Sequence, residues 1–248
     1  MSSIEWFRLW FSSSYYELLY ENRNKQEAEF CVKNFVEILQ IPEKSTVLDI
    51  ACGKGRHSIP LAAYGFDVTG IDIAPALITV AKEYETDSLH FYVHDMRLPF
   101  WINYFDYAFN LFTSFGYFRT MREHHDAIRT MAQSLKLNGT IVIDYLNTHY
   151  AEEHLVADEE KIINNVHFTI KRWFDDNCFY KQIDINDKEK NIQENYREEV
   201  RKFSLGYFTD MLAYEGLMIE RVFGNYDLDA YHANKSQRMI MMAKKIHY

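Results

Sequence analysis

Apolar residues recur at helical spacing near the start of the chain and then change to short continuous runs. Trp6, Phe7, Trp10 and Phe11, followed by the stretch from Ala28 to Leu39, predict two helical segments within residues 3–40. Five short apolar runs then predict buried strands at 46–50, 67–72, 89–93, 105–111 and 140–145. Because helical patterns separate these runs, we expect right-handed crossovers and a doubly wound parallel sheet.

The pattern changes after residue 147. Three segments with alternating polar and apolar residues, at 161–174, 178–185 and about 192–203, predict an antiparallel β insertion. A helix at 204–214 and two strands at 217–223 and 238–244 follow, and we expect the strands to close the sheet as an antiparallel pair. The prediction is therefore an α/β fold with a Rossmann-like, doubly wound seven-stranded sheet, a helical N-terminal segment and a small antiparallel insertion. Residues 1–150 and 204–248 form its main domain, and residues 151–203 the insertion.

Composition narrows the partners. Hydrophobic residues make up 48% of the 248 residues, which excludes a disordered chain, and 36 acidic against 27 basic residues give a net charge of −9. An acidic chain without a basic stripe repels phosphate backbones, so we expect no nucleic-acid substrate. Three separated cysteines and no apolar run of about 18 residues predict a cytoplasmic protein without a membrane span.

A glycine-containing loop follows the first predicted strand. Gly53 and Gly55 let the backbone turn tightly and approach a ligand without side-chain obstruction. Asp72 ends the second predicted strand, 17 residues after Gly55, where a carboxylate can accept hydrogen bonds from ribose hydroxyls. A glycine turn with such an acid predicts an adenosine-type ligand, and a packing turn with an exposed Asp is the plain alternative.

A hydride-transfer enzyme is the natural competitor. That hypothesis requires a third glycine to cradle a pyrophosphate, and this chain has Ser58 at that position. Asp49, inside the strand before the loop, would also lie awkwardly near a diphosphate. It suits a ligand that carries positive charge.

Four segments in order make the sequence resemble the class I S-adenosylmethionine-dependent methyltransferases. They are Val47–Gly55 around the glycine loop, Val68–Asp72, His94–Arg97 after the third strand and Phe105–Asn110 in the fourth. The resemblance implies that Asp72 binds the ribose and that Asp95 binds the adenine amino group. It implies a cofactor-binding set made up of Asp49, Ala51, Gly53, Gly55, His57, Asp72, Ile73, Asp95, Met96, Leu111 and Phe112.

A narrower similarity lies in the segment Phe112–Tyr117 together with the insertion. Both are similar to small-molecule methyltransferases that include sugar-amine N-methyltransferases, in which an N-terminal segment folds over the cofactor. The resemblance makes residues 1–42 a candidate lid and adds cofactor-contact candidates in it, namely Tyr16, Tyr20 and Arg23. Tyr117 and Ser114 are the catalytic candidates, since either could orient a hydroxyl or an amine.

Histidines are weaker candidates for a general base, and we expect His124 and His125 on an exposed helix face. No metal is expected, because Asp144 has no evident acidic partners. The resulting hypothesis is S-adenosylmethionine-dependent methylation of N or O in a small molecule, with S-adenosylhomocysteine released. The insertion would serve the substrate side or a homodimer interface. A non-catalytic cofactor-binding protein and, less favoured, an NAD-dependent oxidoreductase are the alternatives.

Overall fold

The computed structural model describes residues 5–20 and 25–247. Its α-helices alternate with strands in the N-terminal two thirds of the chain, as the periodicity predicted. They are α1 (Trp6–Phe11), α2 (Ser14–Leu19), α3 (Lys25–Leu39), α4 (Ser58–Ala63), α5 (Pro75–Ala81), α6 (Met121–Ser134), α7 (Thr148–Glu153) and α8 (Leu205–Tyr214). None of these helices, which cover every α-helix of the described ranges, is long and apolar enough to cross a membrane.

Seven strands form the main sheet. They are β1 (Thr46–Ile50), β2 (Asp67–Asp72), β3 (Leu89–Val93), β4 (Phe105–Asn110), β5 (Leu135–Leu146), β10 (Leu217–Phe223) and β11 (Arg238–Lys245). Their order in the sheet is β10-β11-β5-β4-β1-β2-β3. Neighbours among β1 to β5 pair in parallel, and β11 runs antiparallel to both β5 and β10. The prediction of a doubly wound sheet closed by an antiparallel pair is confirmed.

The order of the strands reverses between β1 and β4. The chain runs outward from β1 to β2 and β3 on one side, and from β4 to β5 on the other. Crossovers on the two sides cover opposite faces of the sheet, which leaves a crevice at the carboxyl ends of β1 and β4. One hydrophobic core lies on each face, so the strands at this switch point are buried on both sides.

The insertion contains four strands where the sequence pattern predicted three. They are β6 (Asp158–Ile163), β7 (Val166–Phe174), β8 (Cys178–Asp187) and β9 (Ile192–Arg201), joined as an antiparallel meander. The first predicted strand, 161–174, is interrupted by Asn164 and Asn165, whose φ angles are +47° and +63°. Asparagine tolerates this left-handed conformation and makes a two-residue hairpin turn. The pair was the signal that the alternation pattern missed.

The N-terminal helices join the insertion through a third hydrophobic core. Trp10 of α1 and Tyr15 of α2 pack on Phe168, Ile170 and other apolar residues on the inner face of the four-stranded sheet. The serines at 12 and 13 separate α1 from a second short helix that was not predicted, α2, which starts there because the Ser13 side chain accepts a hydrogen bond from the Tyr15 backbone N–H. α7 was likewise not predicted.

His124 contradicts the expectation of an exposed helix face. Its side chain is fully buried against Phe115, Phe118 and Phe203. The reason is the helical period: His124 precedes the buried residues Ala127, Ile128 and Met131 by three, four and seven positions, so it shares their stripe on α6.

Candidate functional site

A cavity of about 590 Å³ opens at the carboxyl ends of β1, β2 and β4 and extends beneath α1 and α2. Most of the residues predicted from the sequence lie on its wall. They are Tyr16, Tyr20, Asp49, Ala51, Gly53, His57, Asp72, Ile73, Asp95, Met96, Leu111, Phe112, Ser114 and Tyr117. Of the remaining two candidates, Gly55 does not line the cavity and Arg23 lies outside the described residues.

The loop after β1 is built from left-handed backbone. Ala51, Gly53 and Gly55 have φ angles of +60°, +58° and +83°. A Cβ atom on Gly55 would lie 2.6 Å from the Phe91 ring, so Gly55 allows the loop to pack on β3 and does not face the ligand space. Ala51 adopts a conformation that is strained for a residue with a side chain, a feature that clusters at functional sites.

Asp72 joins this loop to the start of α5. One carboxylate oxygen accepts a hydrogen bond from the Gly53 backbone N–H at 2.9 Å, and the other accepts one from the Ala74 N–H at 2.8 Å. Burial raises the pKa of Asp72, and these two hydrogen bonds partly oppose the increase. The carboxylate at the end of β2 therefore fixes the glycine loop as well as facing the cavity.

Asp49 lies deeper, in β1, and is almost fully buried. Burial raises its pKa to about 6, although the hydroxyl of Ser58 donates it a hydrogen bond at 2.6 Å that opposes the shift. Ser58 thus has a positive role at the position where a dinucleotide fold has its third glycine: it holds the acid of the strand. The two buried carboxylates, Asp49 and Asp72, make the floor of the cavity acidic.

His57 lies next to this acidic floor. Its ring stacks on Phe112 with 5.1 Å between centroids, and the guanidinium of Arg56 lies 4.2 Å from the centroid of the same Phe112 ring. Burial, together with the charge of Arg56, lowers the pKa of His57 to about 3, so the ring is neutral near pH 7. Its Nε2 atom is buried without a protein hydrogen-bond partner among the described residues. A buried, unsatisfied nitrogen on a cavity wall is suited to a polar ligand group.

Asp95 has partners that the sequence did not reveal. Its carboxylate accepts hydrogen bonds from the side chain of Arg97 at 2.6 Å and from Arg8 of α1 at 3.0 Å, and Arg97 also bonds Glu5. Burial raises the pKa of Asp95, but the hydrogen bonds and charges of the two arginines outweigh it and lower the pKa overall. The acid predicted to contact adenine is therefore also a tie between α1 and the loop after β3.

Ser114 and Tyr117 have their hydroxyl protons engaged inside their own loop. The Ser114 hydroxyl donates to the Leu111 carbonyl at 2.7 Å, and the Tyr117 hydroxyl donates to the Thr113 carbonyl. With their protons engaged, the two hydroxyl groups can act toward a ligand only as hydrogen-bond acceptors. This geometry suits a role in orienting a ligand N–H or O–H group.

Aromatic side chains form the other side of the cavity. We call Phe11, Tyr16, Tyr20 and Tyr117 the aromatic wall. Their ring centroids lie 5.0 Å apart for Phe11–Tyr16, 4.9 Å for Tyr16–Tyr20 and 5.5 Å for Phe11–Tyr117. Such edge-to-face and tilted contacts stabilise a rigid apolar surface.

The insertion holds the aromatic wall from behind. The carboxylate of Glu198, on β9, accepts hydrogen bonds from Trp10 Nε1 at 2.6 Å and from the Tyr20 hydroxyl at 2.9 Å. Lys181 of β8 donates to the Tyr20 hydroxyl and lies 3.8 Å from the Glu198 carboxylate. Asn164, at the β6–β7 turn, lies on the cavity wall itself.

Several cavity residues were missed by the sequence reasoning. Phe7, Phe11 and Leu18 belong to the N-terminal helices, whose apolar spacing was recognised without indicating which residues face the cavity. Glu17 and Lys54 were also missed; they form an ion pair at 2.8 Å between α2 and the glycine loop. The further missed positions are Ser14, Cys52, Arg56, Ile71, Leu77, His94, Phe118 and Asn164. Within residues 5–20 and 25–247, no three His, Cys, Asp or Glu side chains are grouped as metal ligands.

The chain is similar to known proteins in sequence and in fold. The model of a family described as "Methyltransferase domain" matches residues 41–213. The chain is 25% identical over 217 residues to the YqeM protein of Bacillus subtilis, covering 83% of this chain and 86% of that protein. It is 29% identical over 133 residues to the dTDP-3-amino-3,4,6-trideoxy-alpha-D-glucopyranose N,N-dimethyltransferase of Streptomyces venezuelae, covering 52% of this chain and 54% of the other.

A solved structure extends the likeness over almost the whole chain. It is that of a S-adenosylmethionine-dependent methyltransferase from Clostridium acetobutylicum, which superimposes with a TM-score of 0.77 at 16% identity. The superposition covers 93% of this chain and 95% of the other.

Proposed function

Because the chain belongs to the methyltransferase-domain family and is an S-adenosylmethionine-dependent methyltransferase, we propose that it methylates a nitrogen or oxygen atom of a small molecule in this cavity. One observation carries the proposal. Three of the four motif segments, together with Leu111 and Phe112 directly after the fourth, line one cavity whose opposite side is aromatic. At about 590 Å³ the cavity has the size of a small-molecule site.

The acidic floor of the cavity fits S-adenosylmethionine. The bound cofactor supplies a methyl group activated by a positively charged sulfonium. Asp72 is the proposed ribose ligand, and the negative charge of Asp49 favours a cationic ligand. The unsatisfied Nε2 of His57 would hydrogen-bond a polar group of the methionine portion. Ile73, Met96, Leu111 and Phe112 would pack against the apolar surfaces, and Ala51 and Gly53 would bring backbone close to the ligand.

The aromatic wall is the proposed site of the methyl acceptor, so Tyr16 and Tyr20, which the resemblance suggested as cofactor contacts, become proposed acceptor contacts. Its rings exclude water and fix the orientation of the acceptor, which is the main requirement for an in-line displacement at an activated carbon. Ser114 and Tyr117 each present a hydroxyl oxygen that accepts a hydrogen bond. They would hold the N–H or O–H of the acceptor, and we propose them as orienting groups, with no protein base required for an amine in its neutral form.

The two peripheral segments have proposed roles that follow from their contacts. α1 and α2 act as a lid over the cofactor, because Arg8 contacts Asp95 and Lys54 contacts Glu17. The insertion belongs to the substrate side, because Glu198 holds Tyr20 and Asn164 lies on the cavity wall. The amino-sugar dimethyltransferase to which the chain is similar makes sugar amines a sensible first set of acceptors.

The decisive experiment combines binding with turnover. Calorimetry with S-adenosylmethionine and S-adenosylhomocysteine tests the cofactor site, and a panel of amines and hydroxylated metabolites, scored by release of S-adenosylhomocysteine, tests the acceptor. We expect saturable binding of both nucleosides and turnover with at least one acceptor. Absence of any binding would overturn the proposal. Binding without turnover, alongside specific retention of a protein partner, would favour a non-catalytic role.

A further inference from the structure

A buried ion pair contacts the loop after β4 and lies outside all four motif segments. We call this loop, Phe112–Tyr117, the acceptor loop. Asp144, near the end of β5, is fully buried, and one of its oxygens accepts a hydrogen bond from Arg238 Nε at 2.8 Å. The other accepts from the Tyr226 hydroxyl at 2.6 Å and from the Phe112 backbone N–H at 2.8 Å. Arg238 also donates to the Thr113 hydroxyl at 2.9 Å. Both charges thus converge on Phe112 and Thr113.

Phe112 and Thr113 require such support. Each has a φ angle of +58°, a left-handed conformation that costs free energy for residues with a side chain and most of all for a β-branched one. Strain of this kind persists only where the surroundings over-determine it, at about 1–3 kcal/mol for each residue. Beside the contacts to Phe112 N–H and the Thr113 hydroxyl, the Thr113 N–H donates to the Asp144 carbonyl at 3.0 Å.

The strained pair determines what the cavity presents to an acceptor. The Phe112 ring lies on the cavity wall and stacks with two other rings, His57 at 5.1 Å and Tyr226 at 5.2 Å between centroids. The Thr113 carbonyl accepts the hydroxyl proton of Tyr117. A change in the backbone at Phe112 and Thr113 would therefore move two side chains together: the Phe112 ring, on the proposed cofactor side, and Tyr117, on the proposed acceptor side.

We propose that Asp144, Arg238 and Tyr226 are positioning residues for methyl transfer, which hold Phe112 and Thr113 in left-handed conformation and thereby align the acceptor with the transferred group. This inference rests on the proposed function. None of the three lines the cavity, so they act through Phe112 and Tyr117. A buried ion pair is a weak source of stability compared with apolar packing, whereas it fixes the position of the backbone groups it bonds.

Tyr226→Phe provides the mildest test, because it removes one hydrogen bond and retains the ring that stacks on Phe112. A displacement of a fraction of an ångström at a reacting group is enough for a rate loss of about 10-fold. We expect kcat to fall about 10-fold, the Kd for S-adenosylhomocysteine to change by clearly less than kcat because Phe112 is one of several cofactor contacts, and amide hydrogen exchange to accelerate in the peptide containing Phe112 and Thr113. Tyr231→Phe, which removes a hydroxyl 3.4 Å from Asn147, is the matched control.

Thr113→Val and Thr113→Ser separate positioning from general stability. Valine keeps the β-branched shape and removes the oxygen that Arg238 bonds, whereas serine keeps the oxygen. Positioning predicts a loss of kcat in the valine variant and its recovery in the serine variant, at similar melting temperatures. Wild-type kcat and exchange rates in both Tyr226→Phe and Thr113→Val would overturn the inference. Absence of methyl transfer in the wild-type protein itself would instead overturn the proposed function, and the exchange measurement still tests the network.

Discussion

The two sides of the cavity are constructed by different means. We call Asp49, Ala51, Gly53 and Asp72 the cofactor wall; these residues lie at the ends of two adjacent parallel strands, and their carboxylates bond groups within 19 residues along the chain. The aromatic wall is assembled from α1, α2 and the loop after β4. Tyr20 in this wall donates a hydrogen bond to Glu198 of the insertion. Local backbone builds one wall, and long-range side-chain contacts build the other.

Because of this difference, the lining residues of one wall can be substituted more freely than those of the other. A wall made from strand ends is fixed by the register of β1 and β2, in which Asp49 pairs with Gly70. A wall made from side chains on short helices can change its lining residues without moving the sheet. Binding sites on loops and added segments, supported by a rigid scaffold, are where specificity commonly lies. The comparison therefore predicts large, cofactor-specific effects on one side and smaller, acceptor-specific effects on the other.

Removal of the Asp72 carboxylate is expected to have the largest effect. Asp72→Ala leaves the Gly53 and Ala74 N–H groups without their acceptor and removes the proposed ribose ligand. Each unmade buried hydrogen bond costs about 1–3 kcal/mol, so the Kd for S-adenosylhomocysteine should rise by roughly 100-fold or more. Calorimetry measures this effect. Asp67→Ala, at the opposite end of the same strand, is the control and should bind like the wild type.

The second prediction concerns pH and Asp49. With a pKa of about 6, Asp49 is ionised above that value, and a cationic cofactor should favour its ionised form. Affinity for S-adenosylmethionine is therefore expected to fall as the pH decreases through about 6, by about 10-fold between pH 7 and pH 5. The same raised pKa means that ionising Asp49 costs folded-state stability as the pH rises between the ordinary Asp value and about 6.

Calorimetry at constant ionic strength across this range checks the prediction, with Asp49→Asn as the matched variant. The pKa of His57 is near 3, outside the range, whereas that of Asp72 is also raised. A slope that persists in Asp49→Asn belongs to another titratable group of the cavity, such as Asp72 or His94. An unchanged slope in that variant would show that Asp49 does not face the charge of the cofactor.

The contrast between the walls also explains what the sequence could predict. Asp49, Gly53 and Asp72 were identifiable as cavity residues because each lies at or just after the end of a strand, and strand ends are visible in the apolar pattern. Ser58 was noticed as a departure from a dinucleotide site, and its hydrogen bond to Asp49 supplies the reason. Gly55 was predicted as a cofactor contact in the same way; it does not line the cavity, and the Phe91 ring leaves no room for a side chain there.

The aromatic wall was only partly predictable, because its contacts are long-range. Tyr16 and Tyr20 were proposed through resemblance, but Phe11 was seen as a helix residue with no indication of its direction. Glu198 lies 178 residues from Tyr20, and no periodicity connects two such positions. Arg238, which bonds Thr113 in the acceptor loop, is likewise 125 residues away from it. Contacts of this kind depend on how the insertion packs on α1 and α2, which local patterns do not specify.

The smallest expected effect comes from weakening the contact between the aromatic wall and the insertion. Glu198→Gln replaces the carboxylate with an amide, which still has an acceptor oxygen but lacks the charge that strengthens the hydrogen bonds from Trp10 and Tyr20. Hydrogen bonds to ionised acceptors are about twice as strong as neutral ones, so we expect a threefold to fivefold rise, roughly, in the KM for the acceptor found by the panel. Binding of S-adenosylhomocysteine should change less than about twofold.

Steady-state kinetics with both substrates varied distinguishes the two walls in this variant. Glu194→Gln is the matched control, since Glu194 is exposed on the same strand and accepts a hydrogen bond from the Tyr196 hydroxyl, away from Trp10 and Tyr20. If Glu198→Gln weakened cofactor binding as much as acceptor binding, the two walls would be one coupled unit. A selective change in the acceptor KM would instead show that the insertion tunes the acceptor side while the strand ends hold the cofactor, because the two sets of contacts share no residue.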